Sequence, residues 1–74
     1  MDVVKLLGDN VRRYRKLAGI SQEELSLRTG VKRSYISDLE RGFRNPTVRV
    51  LGKIAEGLKV QPSQLLILDG TSFK

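Results

Sequence analysis

The stretch SQEELSLRTGVKRSYISDLERG, residues 21–42, carries the strongest local folding signals in the chain. Ser21 is a favoured N-cap residue, and Glu24 three positions later predicts a capping box. Ile20 and Leu25 have the spacing of a hydrophobic staple, which is an apolar contact across the first turn of a helix. Two independent signals therefore predict that a helix begins at Ser21.

A second helix is predicted almost immediately after the first. Gly30 is expected to end the first helix, because glycine adopts a positive φ without steric cost. Ile36 and Leu39 then fall on one side of a new helix, which Gly42 is expected to end. The connection, Thr29–Lys32, is too short for the two helices to lie antiparallel, so they are predicted to cross steeply as a helix-turn-helix.

Three further helices are predicted outside this segment. The first has apolar residues at alternating steps of three and four, namely Val4, Leu7, Val11, Tyr14 and Ala18. The fourth follows the N-cap candidate Thr47 and carries the stripe Val48, Leu51, Ile54, Ala55 and Leu58. A short fifth helix is predicted from Pro62, and the tail 69–74 is predicted to be flexible. The prediction is one all-α domain over residues 1–68, a compact five-helix bundle.

Length and missing residue types limit what the chain can do. Its 74 residues suffice for one domain. It has neither cysteine nor histidine, which excludes disulfides, the usual metal sites and the usual general base. The sequence shows no nucleophile–base pair and no phosphate-binding glycine loop, so an enzyme, a cofactor and a small-molecule ligand are not expected. With no apolar run near the roughly 18 residues of a membrane span, the chain is expected to be cytoplasmic.

The positive charge is concentrated in the middle of the chain. The formal net charge is +6. Between Arg12 and Arg49, ten Lys and Arg stand against four Asp and Glu, whereas the remaining residues carry four of each sign. A localised basic patch predicts a polyanionic partner. A solvated basic surface is the alternative, and charge alone does not decide between them.

The outer face of the second helix of this segment offers candidate binding side chains. The core takes Ile36 and Leu39, which leaves Arg33, Ser34, Ser37, Asp38 and Arg41 on the outer face. When such a helix enters the major groove of DNA, the side chains nearest its N-terminus reach base edges. Arg33 can donate two hydrogen bonds to guanine, and Asp38 can accept from cytosine or orient Arg33. An exposed polar face without a partner remains the alternative.

Several spaced motifs together resemble one known family. They are Ser21-Gln22-Glu23-Glu24-Leu25, Thr29-Gly30-Val31, Tyr35-Ile36-Ser37, Leu39-Glu40-Arg41-Gly42 and Arg44-Asn45-Pro46-Thr47, continuing to Leu65-Leu66. Their order and spacing are similar to those of the phage-repressor and Cro type (Xre-like) of helix-turn-helix regulators. Within that family, stretches 33–37 and 41–46 look most like the controller proteins of restriction–modification systems. The resemblance implies a lambda-repressor-like fold and sequence-specific regulation of transcription on double-stranded DNA.

The resemblance also implies roles for individual residues. Those predicted to read bases are Arg33, Ser34, Ser37, Asp38 and Arg44. Those predicted to bind phosphates are Arg13, Gln22, Lys32, Tyr35 and Asn45, of which Arg13 and Lys32 rest on charge and position. Arg15 and Glu40 match a family pair that links the first helix to the third, and they are predicted to form a structural ion pair. Lys32 departs from the Ser, Thr or Asp that often precedes this helix, and lysine cannot cap it.

A homodimer on a palindromic operator is the partner state that the resemblance implies. The apolar run Leu65, Leu66, Ile67 and Leu68 is the predicted dimer interface, because a helix on a small core buries only one face. In the alternative, Ile67 or Leu68 folds back onto the first helix. A restriction–modification, phage or plasmid operon is the expected context, with RNA polymerase a further candidate partner. A DNA-binding antitoxin and a nucleic-acid module without operator specificity are the competing functions.

Overall fold

The computed structural model describes residues 1–68, and the predicted flexible tail, 69–74, lies outside the described residues. Over residues 1–68 the fold is all-α, as predicted. The elements are α1 (Val3–Leu17), α2 (Gln22–Thr29), α3 (Arg33–Glu40), α4 (Val48–Leu58) and a 3₁₀ segment (Pro62–Leu66). Helix α1 packs on α3 and on the 3₁₀ segment, and α2 packs on α3 and α4.

The fifth predicted helix is a five-residue 3₁₀ segment, so residues 1–68 form four α-helices rather than five. Pro62 occupies its first turn, as the sequence predicted. The N–H of Gln64 donates to the carbonyl of Gln61, three residues earlier, at 2.9 Å. Five residues cannot offset the cost of nucleating an α-helix, and short connectors commonly use 3₁₀ geometry instead.

Side-chain caps begin three of the four α-helices. The predicted N-caps Ser21 and Thr47 accept the N–H groups of Glu24 and Val50 at 3.0 and 3.1 Å. Asp2 caps α1 in the same way, which the sequence analysis missed. The capping box at Ser21 is only half formed, and the Glu24 carboxylate accepts from the Arg28 guanidinium at 3.1 Å. The predicted helix start at Ser21 is nevertheless confirmed.

The core collects buried apolar side chains from every helix and from the 3₁₀ segment. They are Leu7, Val11, Leu25, Val31, Ile36, Leu39, Ile54, Ala55, Leu58 and Leu65. Two predicted core positions were wrong. Ala18 is exposed at the C-cap of α1, and Val48 at the first position of α4 is 84% exposed. The apolar stripes of α1 and α4 are therefore shorter than their periodicity predicted.

A close approach at Gly8 brings α1 against the end of α3. A methyl group at this position would collide with the backbone carbonyl oxygen of Leu39 and would lie 3.1 Å from that of Glu40. The obstructing atoms belong to the backbone and cannot rotate away. Glycine is therefore needed at position 8 for the backbone of α1 to reach α3, which fixes where α3 stands on the protein.

Candidate nucleic-acid interface

Polar contacts hold the turn between α2 and α3. Gly30 has a φ of 75° at the C-cap of α2 and donates its N–H to the Ser26 carbonyl at 2.8 Å. The Ser26 hydroxyl donates to the Val31 carbonyl at 2.6 Å, and the Val31 N–H donates to the Thr29 hydroxyl at 3.1 Å. Because these polar groups of the turn, residues 30–32, have fixed partners, the direction in which α3 leaves α2 is fixed. We call residues 30–32 the locked turn. Ser26 and Thr29 beside a glycine were the available sequence signal, since both hydroxyls can bond nearby backbone groups.

The outward face of α3 carries the side chains that the sequence placed there. Ile36 and Leu39 are buried beneath it, as predicted. The first turn presents Arg33 and Ser34 to solvent, and the helix begins directly after Lys32. The partly exposed Ser37 and Asp38 follow one turn later. The end of α3 nearest the locked turn therefore offers an arginine and a serine at its most accessible position.

Asp38 bonds arginines other than the one that the sequence suggested. Its Oδ1 accepts from Arg41 Nη2 at 3.0 Å, and its Oδ2 lies 3.9 Å from Arg44 Nη2. The guanidinium of Arg44 also lies over the Tyr35 ring, 4.4 Å from its centroid. The proposed orientation of Arg33 by Asp38 is thus wrong in this structure. Asp38 instead joins α3 to the segment that follows it.

The predicted ion pair between Arg15 and Glu40 is present and largely buried. Arg15 Nε donates to Glu40 Oε2 at 2.7 Å and Nη2 donates to Oε1 at 3.1 Å, while Nη1 donates to the Ile20 carbonyl at 2.9 Å. Only 3% of the Glu40 side chain is exposed. Hydrogen bonding to Glu40 raises the pKa of Arg15 despite the opposing effect of burial, so the guanidinium stays charged. The pair joins α1 to α3.

Gln22 at the start of α2 reaches the same carboxylate. Its amide nitrogen donates to Glu40 Oε1 at 3.1 Å, which uses one of its two N–H groups. The open hollow around it is lined by Arg12, Arg15, Lys16, Gln22, Ser37, Glu40 and Arg41. Arg12 and Lys16 were not among the predicted site residues, although their charge on the polar face of α1 was a signal. The predicted phosphate-binding glutamine therefore lies in a basic hollow between α1, α2 and α3.

Three of the other predicted phosphate-binding residues lie in α3 or next to it in the chain, and the fourth, Arg13, lies on α1. Lys32 stands at its N-cap without a side-chain capping bond, and the exposed Asn45 lies in the loop that follows it. Tyr35 is half-buried beneath the guanidinium of Arg44. Arg13, on α1, has its guanidinium carbon 5.1 Å from the centroid of the adjacent Tyr14 ring. The structure thus distributes these side chains over α1, α3 and the loop after α3.

We call a second set of apolar side chains the apolar edge and define it as Val3, Val48, Leu66, Ile67 and Leu68. All five are exposed, and three of them line one groove: Val3, Val48 and Leu66. Leu65 does not belong to it. It was predicted at the dimer interface, but it is fully buried in this chain's own core and cannot contact a partner.

Asn10 holds the segment that carries the apolar edge. Its buried amide nitrogen donates to the carbonyls of Leu65 and Ile67 at 2.8 and 3.0 Å. These bonds satisfy two carbonyls at the end of the 3₁₀ segment, where the helix supplies no donors. Along the segment held in this way, Leu65 is buried, and Leu66, Ile67 and Leu68 are exposed.

Two kinds of site are missing from the described part of the chain. Across residues 1–68, no group of His, Cys, Asp or Glu side chains is arranged to hold a metal ion. No helix within that range is both long enough and apolar enough to cross a membrane.

Comparison with known proteins assigns the fold to a family. A helix-turn-helix family model matches residues 11–65, a span that includes α2, the locked turn and α3. The chain belongs to the helix-turn-helix family. The uncharacterised helix-turn-helix-type transcriptional regulator y4dJ of Sinorhizobium fredii is 46% identical over 74 residues, which cover 99% of this chain and 96% of that relative.

Two solved structures support the same assignment of this helix-turn-helix protein. The restriction–modification controller protein C.AhdI from Aeromonas hydrophila has a TM-score of 0.81 and 35% identity, over 84% of this chain and 94% of that one. SinR, a master regulator for biofilm formation solved in complex with DNA, has a TM-score of 0.79 and 37% identity, over 82% and 98%. The resemblance to repressor-type and controller regulators is confirmed. The chain is a helix-turn-helix transcriptional regulator of that type and not an enzyme.

Proposed function

We propose that this regulator binds a palindromic operator in double-stranded DNA as a homodimer, with α3 in the major groove. The observation that carries the proposal is the exposed first turn of α3, where Arg33 and Ser34 stand at the end nearest the locked turn. Side chains in that position reach base edges when a helix enters the groove. The guanidinium of Arg33 suits guanine O6 and N7, and the Ser34 hydroxyl suits several bases.

The residues around α3 serve the DNA backbone in this proposal. Gln22 combines an amide donor with the N-terminus of α2, an arrangement that favours an anion. The remaining assigned phosphate ligands are Arg13, Lys32, Tyr35 and Asn45. Ser37 and Arg44 complete the base-reading set next to Arg33 and Ser34. Asp38, which was also predicted to read a base, contacts Arg41 and Arg44 instead in the free protein. Phosphate contacts set the position of α3 on the duplex, and base contacts supply the specificity.

The apolar edge is the proposed dimer interface. Leu66, Ile67 and Leu68 are exposed, and Leu66 lines one groove with the exposed Val3 and Val48. Exposed apolar residues of this kind are expected to be covered by a partner. A two-fold dimer places two copies of α3 about one helical turn of DNA apart, which matches a palindrome of two half-sites. Without a second copy, one α3 reads only a few base pairs.

The proposed context is the operon of a restriction–modification system, a phage or a plasmid. The controller protein C.AhdI, which shares the fold at 35% identity, supports the first of these. RNA polymerase is a further proposed partner when the operator overlaps a promoter. The antitoxin alternative gains no support from the relatives described above, which are named as regulators.

Selection of bound sites from random duplexes tests the proposal. A palindrome of two half-sites is expected, with the selected duplex bound at least about 10³-fold more tightly than random duplex at physiological salt. Sedimentation of the protein–DNA complex is expected to give two protein chains for each selected site. A specificity ratio near unity would contradict the proposal, and a single half-site bound by one chain would contradict the dimer.

Arg33→Ala is expected to weaken binding to the selected operator by about 1–3 kcal/mol and to relax one position in each half-site. Arg28→Ala is the matched control, because Arg28 pairs with Glu24 on α2 and its guanidinium reaches toward Gly57. The control removes the same charge and is expected to leave the selected sequence unchanged. If Arg33→Ala weakened all duplexes uniformly, Arg33 would be a phosphate contact.

Lys32→Thr is expected to stabilise the fold and weaken DNA binding at the same time. Threonine can cap α3 where lysine makes no capping bond, which contributes about 1 kcal/mol to the free energy of unfolding. Loss of one phosphate contact lowers affinity about fivefold at roughly 0.15 M salt and reduces the slope of log K against log salt by about 0.9. Lys32→Ala, as the control, keeps the loss of affinity without the gain in stability. Unchanged affinity and slope in both variants would rule out a phosphate contact.

A further inference from the structure

Asp38 holds the segment after α3 through both its side chain and its main chain. Its two carboxylate oxygens face Arg41 and Arg44, at 3.0 and 3.9 Å from their Nη2 atoms. Its backbone carbonyl accepts the Phe43 N–H at 2.8 Å. One residue near the end of α3 therefore constrains the backbone of the following loop and the two arginines of that loop.

Aromatic rings hold the same two arginines from a second side. The guanidinium carbon of Arg41 lies 4.8 Å from the centroid of the Phe43 ring, and that of Arg44 lies 4.4 Å from the Tyr35 ring. Ring faces attract cations at these distances. Phe43 is 72% exposed and lies outside the core. The side-chain contact described for its ring is the one with Arg41. Each guanidinium is thus placed by a ring and by the Asp38 carboxylate.

The carboxylate also has an electrostatic cost on a surface that meets DNA. Asp38 is partly exposed on α3, where it repels phosphate groups and competes with them for Arg41 and Arg44. Non-specific binding is almost wholly electrostatic and accepts an arginine in any orientation. Specific binding needs particular orientations, and an arginine already held in one loses less conformational freedom. The same carboxylate therefore acts differently on the two modes of binding.

We propose that Asp38 is a positioning residue that sets the ratio of operator to non-operator affinity through Arg41 and Arg44. On random DNA, its carboxylate competes with phosphate groups for the two guanidiniums. At the operator, it holds both guanidiniums in fixed orientations. This assignment rests on the proposed operator-binding function. It differs from a base-reading role, in which a carboxylate oxygen would accept a hydrogen bond from cytosine.

Asp38→Asn tests the assignment, because asparagine keeps the shape and removes the charge. The freed guanidinium is expected to bind one further phosphate on random duplex, which raises affinity about fivefold at roughly 0.15 M salt and steepens the slope of log K against log salt by about 0.9. At the selected operator the affinity is expected to stay within about twofold of the wild type, because lost positioning offsets the added attraction. The specificity ratio therefore falls about fivefold.

Glu56→Gln is the matched control, since Glu56 is an exposed carboxylate on α4 rather than on α3. It changes the net charge equally and is expected to leave the specificity ratio unchanged. An equal rise on both duplexes for Asp38→Asn would overturn the assignment, as would a ratio shift of the same size for Glu56→Gln. A loss confined to one base position would make Asp38 a base reader instead. A wild-type ratio near unity is a separate outcome, because it removes the operator-binding function itself.

Discussion

Arg15→Met is expected to lower the free energy of unfolding by about 3–5 kcal/mol, as measured by urea or thermal denaturation. The substitution leaves the carboxylate of Glu40 without its cation in a place where 3% of that side chain is exposed. Burial of an uncompensated charge is among the largest single effects on stability. Gln22 remains as a hydrogen-bond donor to the carboxylate, but a neutral amide cannot balance its charge.

A double substitution separates two free energies: the cost of leaving the Glu40 carboxylate unpaired, and the net stabilisation by the Arg15–Glu40 ion pair. Arg15→Met combined with Glu40→Leu is expected to recover most of the lost stability, because apolar side chains can replace a buried pair at little cost. Lys5→Met is the control on an exposed pair, in which Lys5 and Asp9 are both more than half exposed, and it is expected to cost less than about 1 kcal/mol. If Arg15→Met cost no more than this control, the buried pair would not hold α1 and α3 together.

Gly8→Ala is expected to cost about 3 kcal/mol, because a methyl group at this site meets the backbone of α3. Alanine favours helices by about 1 kcal/mol, so the steric conflict must exceed that gain. A domain of this size has a free energy of unfolding toward the low end of about 5–15 kcal/mol. At about 4–8 °C for each kcal/mol, the melting temperature is expected to fall by about 12–24 °C in a thermal scan.

Gly52→Ala is the matched control for this experiment. Gly52 also lies inside a helix, α4, but no atom from outside the adjacent helix backbone stands within 4 Å of a methyl group placed there. The alanine is expected to raise the free energy of unfolding by about 0.5–1 kcal/mol, opposite in sign to Gly8→Ala. Stabilisation by both variants would show that α1 and α3 can separate slightly without loss, and the close approach at Gly8 would then have no structural role.

The parts of the fold that the sequence predicted depend on neighbouring residues. Ser21 and Thr47 cap helices by bonding N–H groups three positions away, and Gly30 adopts the positive φ for which glycine is suited. Such contacts are local, so spacing along the chain is enough to predict them. The predicted pair of Arg15 and Glu40 is different, since its prediction came from a family resemblance rather than from spacing.

The errors arise where distant parts of the chain decide the outcome. Periodicity shows which side of a helix is apolar, but not how far the core extends, and Val48 lies beyond it. An apolar run such as 65–68 does not reveal which side chain turns inward. The placement of this segment depends on tertiary contacts such as the bond from the Asn10 amide, 55 residues earlier, to the Leu65 carbonyl. The need for glycine at position 8 is likewise invisible without α3 in place.

The candidate site shows the same division. Outward positions on α3 follow from helical spacing, and the structure exposes Arg33 and Ser34 as expected. The approach of Arg44 to Asp38 could not be predicted, because Arg44 lies in the loop after α3 and its position depends on how that loop folds back. The basic hollow that includes Arg12 and Lys16 requires the packing of three helices, which the sequence analysis could not place.

Helix α1 connects the face that carries α3 to the apolar edge. It bears Gly8 and Arg15 against α3, and Asn10 against the 3₁₀ segment, on one rod of 15 residues or about 22 Å. In the proposed dimer, the rigid α1 therefore sets the distance between the two copies of α3. That distance is fixed by the folded domain and not by a flexible linker. One base pair inserted between half-sites turns them by about 35° relative to each other. A rigid dimer cannot then place both copies of α3 in the two half-sites.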